Sequence, residues 1–243
     1  MGRYYYDLHL HSCLSPCGDN DSTPFNMAGM GKLNGLDLMA LTDHNTCRNC
    51  PAFFEAAAAY GVVPVPGMEL TTAEDIHVIC LFPTLESALA FDREVDSRRI
   101  RILNRPKIFG EQILWSREDT PAGEEPDLLI NATTVTLDEA TALAARYGGL
   151  CYPAHIDRQA NGIIATLGMM PPTPRYTCVE FHDRDNIPAY TEKYGLAGKR
   201  VVVSSDAHDL GHIAERENYL ELPGGSDDLV RRQLLDTLRG DVQ

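Results

Sequence analysis

Short apolar runs recur along the chain, separated by segments whose apolar residues fall at helical spacing, the alternation expected of an α/β protein. Tyr4 to Leu10 reads as a first strand. Thr23-Pro24 then opens a helix, with Thr as N-cap and Pro at the first helical position. Leu36 to Leu41 is a second strand, ending at Thr42-Asp43-His44. A compact helix from Pro51 runs through Ala56 to Ala59 and stops at Gly61. Val62 to Leu70 is a third strand. The polar connection 71–75 is too short for a crossover helix, so Ile76 to Phe82 is expected to return as an antiparallel hairpin partner of the third strand.

Thr84 to about Arg99 reads as helix. The pattern weakens from Ile100 to Leu129, where Pro106, Pro121 and Pro126 interrupt it. An excursion around 100–130, a lid or small subdomain, is expected within one domain covering 1–243. Thr136-Leu137-Asp138-Glu139 is a capping box whose helix ends at Gly148. Gly149 to Ala154 is strand, followed by a helical or irregular piece over Asp157 to Leu167 and a Pro-rich loop at 171–174. Thr177 to Phe181, Val201 to Ser204 and Tyr219 to Leu222 are further strands. Ser226 caps a terminal helix that runs to about Arg239.

Charge narrows the partners. The chain carries 21 Lys plus Arg against 35 Asp plus Glu, a formal net charge of −14. That argues against a broad basic surface for long nucleic acid, which binds by neutralising phosphates. A small phosphorylated substrate stays compatible, because bound divalent cations invert the charge of a local pocket. There is no apolar run of about 18 residues to span a membrane, and the start has no apolar segment of a secretory signal. A cytoplasmic location without membrane contact is expected. Seven Cys is an odd number, and disulfides are not expected. Cys80, Cys151 and Cys178 lie in apolar runs and read as small buried hydrophobes.

The eight His change the picture most. Six sit at or beside the end of an expected strand: His9 and His11 on the first, His44 on the second, His77 at the start of the hairpin strand, His155 and His208 after later strands. If the hairpin strand is antiparallel to the third, His77 begins beside Glu69. All six then gather at one rim, where barrels of alternating strands and helices place their active sites. His9-Leu10-His11 puts two imidazoles on one side of a strand and Leu10 on the other. Asp206-Ala207-His208 repeats the spacing with a carboxylate. Mixed nitrogen and oxygen donors suit zinc, manganese or iron, and a carboxylate such as Glu69 can bridge two ions. A lone His at a strand end is more often structural; six with two such pairs argue for metal.

Asp7-Leu8-His9-Leu10-His11-Ser12, Thr42-Asp43-His44, Gly67-Met68-Glu69, His77-Val78, Pro153-Ala154-His155 and Ser205-Asp206-Ala207-His208 resemble, in order, the motifs of the PHP (polymerase and histidinol phosphatase) superfamily. The resemblance implies a distorted, TIM-like seven-stranded (β/α) barrel with two or three divalent metals at its rim. The implied ligands are His9, His11, His44, Glu69, His77, His155, Asp206 and His208. Many members add an acid soon after the first motif, for which Asp19 is the nearest candidate and Asp21 the next.

Such a centre is expected to hydrolyse a phosphate ester, a phosphomonoester or nucleotide phosphate, through a metal-bound hydroxide. Arg158, three residues after His155, is the first candidate to bind the substrate phosphate, since guanidinium matches phosphate in a two-pronged geometry; Arg184 and Arg216 are weaker ones. Asp43 is a candidate for orienting His44 or for proton transfer, and equally for a structural cap. His182 and His212 are candidate proton donors, and Glu180 could hold an Arg or a metal-bound water. Two other readings compete with the enzyme: a non-catalytic, metal-stabilised PHP module, and a zinc or redox protein organised by Cys13, Cys17, Cys47 and Cys50. Against the last, those cysteines can simply be small residues in two packed loops.

Overall fold

The apolar runs form strands and most of the intervening segments form helices in the order the sequence predicts; the helix over Ile187–Tyr194 and the short helix and hairpin within 106–124 are additions to it. The computed structural model describes residues 1–240. Its first half comprises β1 (Gly2–Leu10), α1 (Pro24–Leu33), β2 (Leu38–Leu41), α2 (Cys50–Tyr60), β3 (Val63–Thr71), β4 (His77–Leu81), α3 (Leu85–Asp96), α4 (Pro106–Phe109), β5 (Ile113–Trp115) and β6 (Pro121–Glu124). The second half adds α5 (Leu137–Arg146), β7 (Leu150–Pro153), α6 (Ile163–Leu167), β8 (Cys178–Phe181), α7 (Ile187–Tyr194), β9 (Arg200–Val203), β10 (Tyr219–Leu222) and α8 (Asp227–Arg239).

Local chemistry sets the helix boundaries. The Thr23 hydroxyl accepts from Asn26 N–H at 3.2 Å, Gly61 ends α2 at φ 68°, and the Thr136–Glu139 capping box is formed. Ser226 occupies the N-cap of α8 but makes no side-chain capping bond. α3 stops at Asp96, short of the expected Arg99, because Arg99 turns away to bridge Thr133.

Six strands form one sheet in the order β10-β1-β2-β3-β4-β7, while β8 pairs with β9 and β5 with β6. β1, β2 and β3 are parallel, and β4 returns antiparallel to β3 with Thr71 opposite His77, as the short connection requires. The result is a mixed α/β fold whose sheet curls into a half-barrel. Continuous ladders do not close it into the expected seven-stranded barrel. At the seam between β1 and β9, side-chain oxygens stand where ladder carbonyls would: Leu8 N–H donates to Ser204 Oγ at 3.3 Å and Val203 N–H to the Tyr6 hydroxyl at 3.5 Å. A single parallel bridge, Leu10 to Ala207, joins the two segments there.

Two apolar clusters flank the sheet. One lies under the helices and includes Leu10, Met39, Leu41, Phe53 and Phe91. The other fills the concave side with Tyr6, Leu8, Leu38, Val65 and Ile79, covered by Leu234, Leu235 and Leu238 of α8. Each fully buried large side chain contributes about 1.5–3 kcal/mol by leaving water. β1 changes register between Asp7 and Leu10, and across that irregularity Leu8 stays on the concave side while Leu10 joins the helix side.

The excursion around 100–130 folds as α4 plus the β5–β6 hairpin. It is tied to the loops after β1 and β2: Ile113 N–H donates to the Cys13 carbonyl at 2.8 Å, and Trp115 N–H to Asn49 Oδ1 at 2.8 Å. Among the described residues, no helix is long and apolar enough to cross a membrane.

Candidate metal centre

The strand ends bring the six predicted imidazoles, Glu69 and Asp206 to one rim, and Glu69 stands at their centre. Its Oε1 lies 2.8 Å from His77 Nδ1, 3.1 Å from His155 Nε2 and 3.3 Å from His9 Nε2. Its Oε2 lies 3.0 Å from His44 Nδ1 and 3.2 Å from His11 Nε2. Asp206 Oδ1 is 3.2 Å from both His9 Nε2 and His11 Nε2. His208 stacks on His11 at 4.6 Å between ring centres.

Three sets of donor atoms lie within 4.8 Å of one another: His9, His11, Glu69 and Asp206; His44, Glu69 and His77; His11, His44 and His208. Shared members make the sets contiguous. His155 belongs to none of them but touches the central carboxylate. The donors fit divalent cations. His44 Nδ1, His77 Nδ1 and Glu69 Oε2 are buried without a hydrogen-bond partner, although His44 Nδ1 and Glu69 Oε2 are only 3.0 Å apart. Buried polar atoms left in this way are costly unless something else satisfies them, and lone pairs turned toward one another leave room for a shared cation.

Charge follows from this crowding. Burial opposes a charged His9, but Glu180, Asp206 and Glu69 outweigh it and hold its pKa well above the ordinary value. His11, likewise buried, is raised to about 9 by hydrogen bonds to Asp206 and Glu69. Burial drives His44 down to about 3, Glu69 notwithstanding. It also lowers His208 to about 4, helped by the charge on His11. Against the cost of burial, His77, His9 and His44 hold Glu69 well below the carboxylate range; His9 and a bond from His11 do the same for Asp206.

Several residues act by holding others. Glu180 Oε1 sits 2.7 Å from His9 Nδ1 and accepts the His155 N–H at 3.1 Å, so one carboxylate positions two imidazoles. Asp43 does not touch the His44 ring. It accepts from Ser12 N–H, Ser12 Oγ and Ser15 Oγ, each at 2.7 Å, and caps the loop after β1. The Ser15 hydroxyl also accepts the His44 N–H at 3.1 Å and meets His11 Nδ1 at 3.1 Å. Asp43 therefore orients His11 through Ser15. A side chain at Gly18 would collide with the Ser12 carbonyl, which explains glycine in this tight loop. Asp7 bonds the N–H groups of Ser205 and Ala214 and the Ser205 hydroxyl, tying the segment before Asp206 to β1. His155 and Asp206 both have positive φ, 26° and 53°, a sparsely populated conformation for residues other than glycine and a frequent mark of functional sites. Ser15 was not foreseen, since nothing in a sequence marks one hydroxyl of a loop as buried. An acid inside an apolar strand, as Asp7 is, could have been noticed: buried carboxylates need partners.

Asp19 is not brought into the cluster. Its backbone N–H donates to the His208 carbonyl, but its exposed side chain turns back to accept the Asp21 N–H at 2.8 Å. Asp21 is exposed as well. Cys17 instead lines the cavity of about 170 Å³ above the donors, with Ile130, Asn161 and Arg158. Arg158 pairs closely with Asp206, and its other nitrogen is 3.4 Å from His182 Nε2. Arg184 bonds Asn218, Arg216 lies over the Tyr5 ring at 4.2 Å, and the exposed His212 pairs with Asp209. The four cysteines form no shared thiol site among the described residues. Cys47 bonds the Gly67 carbonyl at 3.1 Å, Cys13 contacts that of Ile113, and burial pushes the Cys13 thiol up to about 12. Cys13, Cys47 and Cys50 are packed small residues, and Cys17 is exposed.

Comparison with known proteins now decides the family. The profile of the PHP domain matches residues 7–152, more than half of the sequence. The chain belongs to the PHP domain family. His155, Asp206 and His208 lie beyond the matched stretch and rest on the geometry above. The uncharacterized protein MJ1587 of Methanocaldococcus jannaschii is 33% identical over 84 residues, 31% of this chain and 48% of that protein, so the chain spans about half the length of this curated relative. Among solved structures, the lesion-specific endonuclease Q of Pyrococcus furiosus is similar at a TM-score of 0.67 and 17% identity, over 98% of this PHP chain and 56% of that one. A two-domain Bacteroides vulgatus protein containing a predicted PHP-like metal-dependent phosphoesterase is similar at a TM-score of 0.56 and 16% identity, over 98% of this chain and 64% of that one.

Endonuclease Q corrects one expectation. It has been seen in complex with a 27-mer duplex carrying an abasic lesion at the active site, in a fold matching this chain at a TM-score of 0.64. A formal charge of −14 therefore does not exclude long nucleic acid. Net charge averages over the whole surface, whereas phosphate is gripped by the cations of one patch.

Proposed function

We propose that this PHP domain hydrolyses phosphate esters, phosphomonoesters or nucleotide phosphates, with two or three divalent cations held by His9, His11, His44, Glu69, His77, His155, Asp206 and His208. The single observation carrying this reading is Glu69, whose two oxygens lie within 3.3 Å of five imidazoles in a buried cluster. Cations in such a site lower the pKa of water and neutralise phosphate oxygens. The donor set suits zinc, manganese or iron.

The chain's own groups supply orientation and charge. Arg158, partly exposed at the cavity wall, is the group that receives a phosphate oxygen, exchanging its bond to Asp206 for one to substrate. Glu180 and Ser15 fix the ring planes of His9 and His11, so that both face Glu69 and Asp206. Asp43 keeps the loop after β1 closed and transfers no proton, its oxygens being occupied by three donors. The excursion at 100–130 belongs to the same domain and contributes Ile130 to the cavity wall.

The test is metal analysis of purified protein followed by a screen of phosphorylated metabolites, nucleotides and oligonucleotides with manganese or zinc supplied. Turnover of at least one ester, abolished together with bound metal in His9→Ala, supports the reading. Full metal occupancy without turnover of any of them replaces it with the non-catalytic module.

A further inference from the structure

A second polar site lies at the opposite end of the parallel strands. β8 and β9 run toward the metal rim, where β8 carries Glu180 and β9 leads into Asp206. Where they begin, the segments 175–177 and 197–200 and the end of α8 line an open cavity of about 570 Å³. Arg175, Lys199, Arg200 and Arg239 line it, and no carboxylate does among the described residues. In a chain with 14 more acids than bases, that is an unusual concentration of positive charge.

The walls are bonded to each other. Arg200 N–H donates to the Thr177 carbonyl at 2.8 Å, Lys199 Nζ to the Tyr176 carbonyl at 2.6 Å, and Thr177 Oγ1 to the Leu238 carbonyl at 3.2 Å. Arg239 is anchored to the Gly148 and Gly149 carbonyls and pairs with Asp236 at 3.4 Å. Arg175, Lys199 and Arg200 have no ion-pair partner among the described residues. Burial, and then the charge of Arg175, lower the pKa of Lys199. Cations at a helix C-terminus offset its partial charge of about half a unit, which accounts for Arg239 and leaves three over.

We infer that this basin binds a small anion carrying a diphosphate group, held by Arg175, Lys199 and Arg200 at the end of the fold remote from the metal centre. Guanidinium groups match phosphate oxygens in pairs. The basin is a local pocket lined by three short stretches of chain, which suits a compact ligand more than an extended nucleic-acid track.

The test is calorimetric titration of the full chain with inorganic pyrophosphate, before and after removal of metal by a chelator. Binding that survives chelation and weakens at least tenfold in Arg175→Glu/Arg200→Glu and in the size-preserving Arg175→Gln/Arg200→Gln supports the site. ADP titrated alongside separates the sources: tighter binding than pyrophosphate means the nucleoside fills the remaining volume, and equal binding means the diphosphate alone is read. Binding that disappears on chelation, or that both double variants retain at wild-type strength, overturns the inference. So does the absence of binding by the full chain.

Discussion

The two ends of the half-barrel use charge in opposite ways. At the rim, imidazoles and carboxylates are buried and lie within about hydrogen-bond distance of one another around Glu69. At the base, Arg175 and Arg200 are exposed, Lys199 is half-buried, and no acid among the described residues lines the cavity they share. Buried charges must be matched, because desolvation is otherwise too costly. Exposed ones can stay unmatched because water screens them. The rim is therefore a tightly coupled network in which each side chain depends on its neighbours. The base is a set of nearly independent cations on a bonded frame. Coupling at one end and independence at the other is the difference that experiment can break.

The largest effect is expected from Glu69→Ala. Removing the carboxylate that touches five imidazoles should strip bound metal, read by elemental analysis, and reduce phosphate ester hydrolysis by more than ~100-fold, beyond what loss of an orienting partner alone causes. Pyrophosphate affinity at the base should change less than about twofold, since distant sites are additive; a parallel loss there would show the two ends to be coupled. Glu180→Gln keeps the size of the side chain but weakens its hold on His9. Metal affinity should fall roughly 10–100-fold in competition with a chelating dye, and an unchanged affinity would remove Glu180 from the network. Ser15→Ala deprives buried Asp43 of one donor and His11 of its link. It should cost about 1–3 kcal/mol in denaturant unfolding of the chelated protein, with a smaller change in metal affinity than Glu180→Gln.

The smallest and most diagnostic effect is on pH dependence in the chelated protein. His11 is raised to about 9, so its contribution is fully present below the ordinary histidine value and is lost as pH rises toward 9. His44 and His208 are lowered, to about 3 and about 4, so the unfolded chain takes up protons that the folded one refuses and stability falls as pH drops below about 6.5. Melting temperature should therefore peak near the ordinary histidine pKa and decline on both sides. Metal should shift and flatten that peak, and a flat profile without metal would contradict the coupled network.

Much of the rim could be read from the chain because its imidazoles and acids are placed by strand ends, and strand ends are marked by where apolar runs stop. His9 and His11 follow from alternation, and His77 beside β3 follows from a connector too short to cross over. Asp19 failed because it lies in a loop, where no periodicity says which way a side chain turns; its carboxylate caps Asp21 while Cys17 faces the cavity. Asp43 was legible as polar and near the metal ligands, but its partners, Ser12 and Ser15, come from another strand's loop. The basic basin was not foreseen at all, since Arg175, Lys199, Arg200 and Arg239 come from three separate segments that converge only in the folded chain.

By itself, the sequence determined the family, most of the order of strands and helices, and the candidate metal-binding side chains other than Asp19, because periodicity, capping and ordered motifs are local properties. Only the tertiary structure decided that the sheet stays a half-barrel, that Glu69 sits at the centre, and that Glu180 and Ser15 set the rings around it. Those features depend on distances between residues far apart along the chain, and such distances are fixed by packing alone.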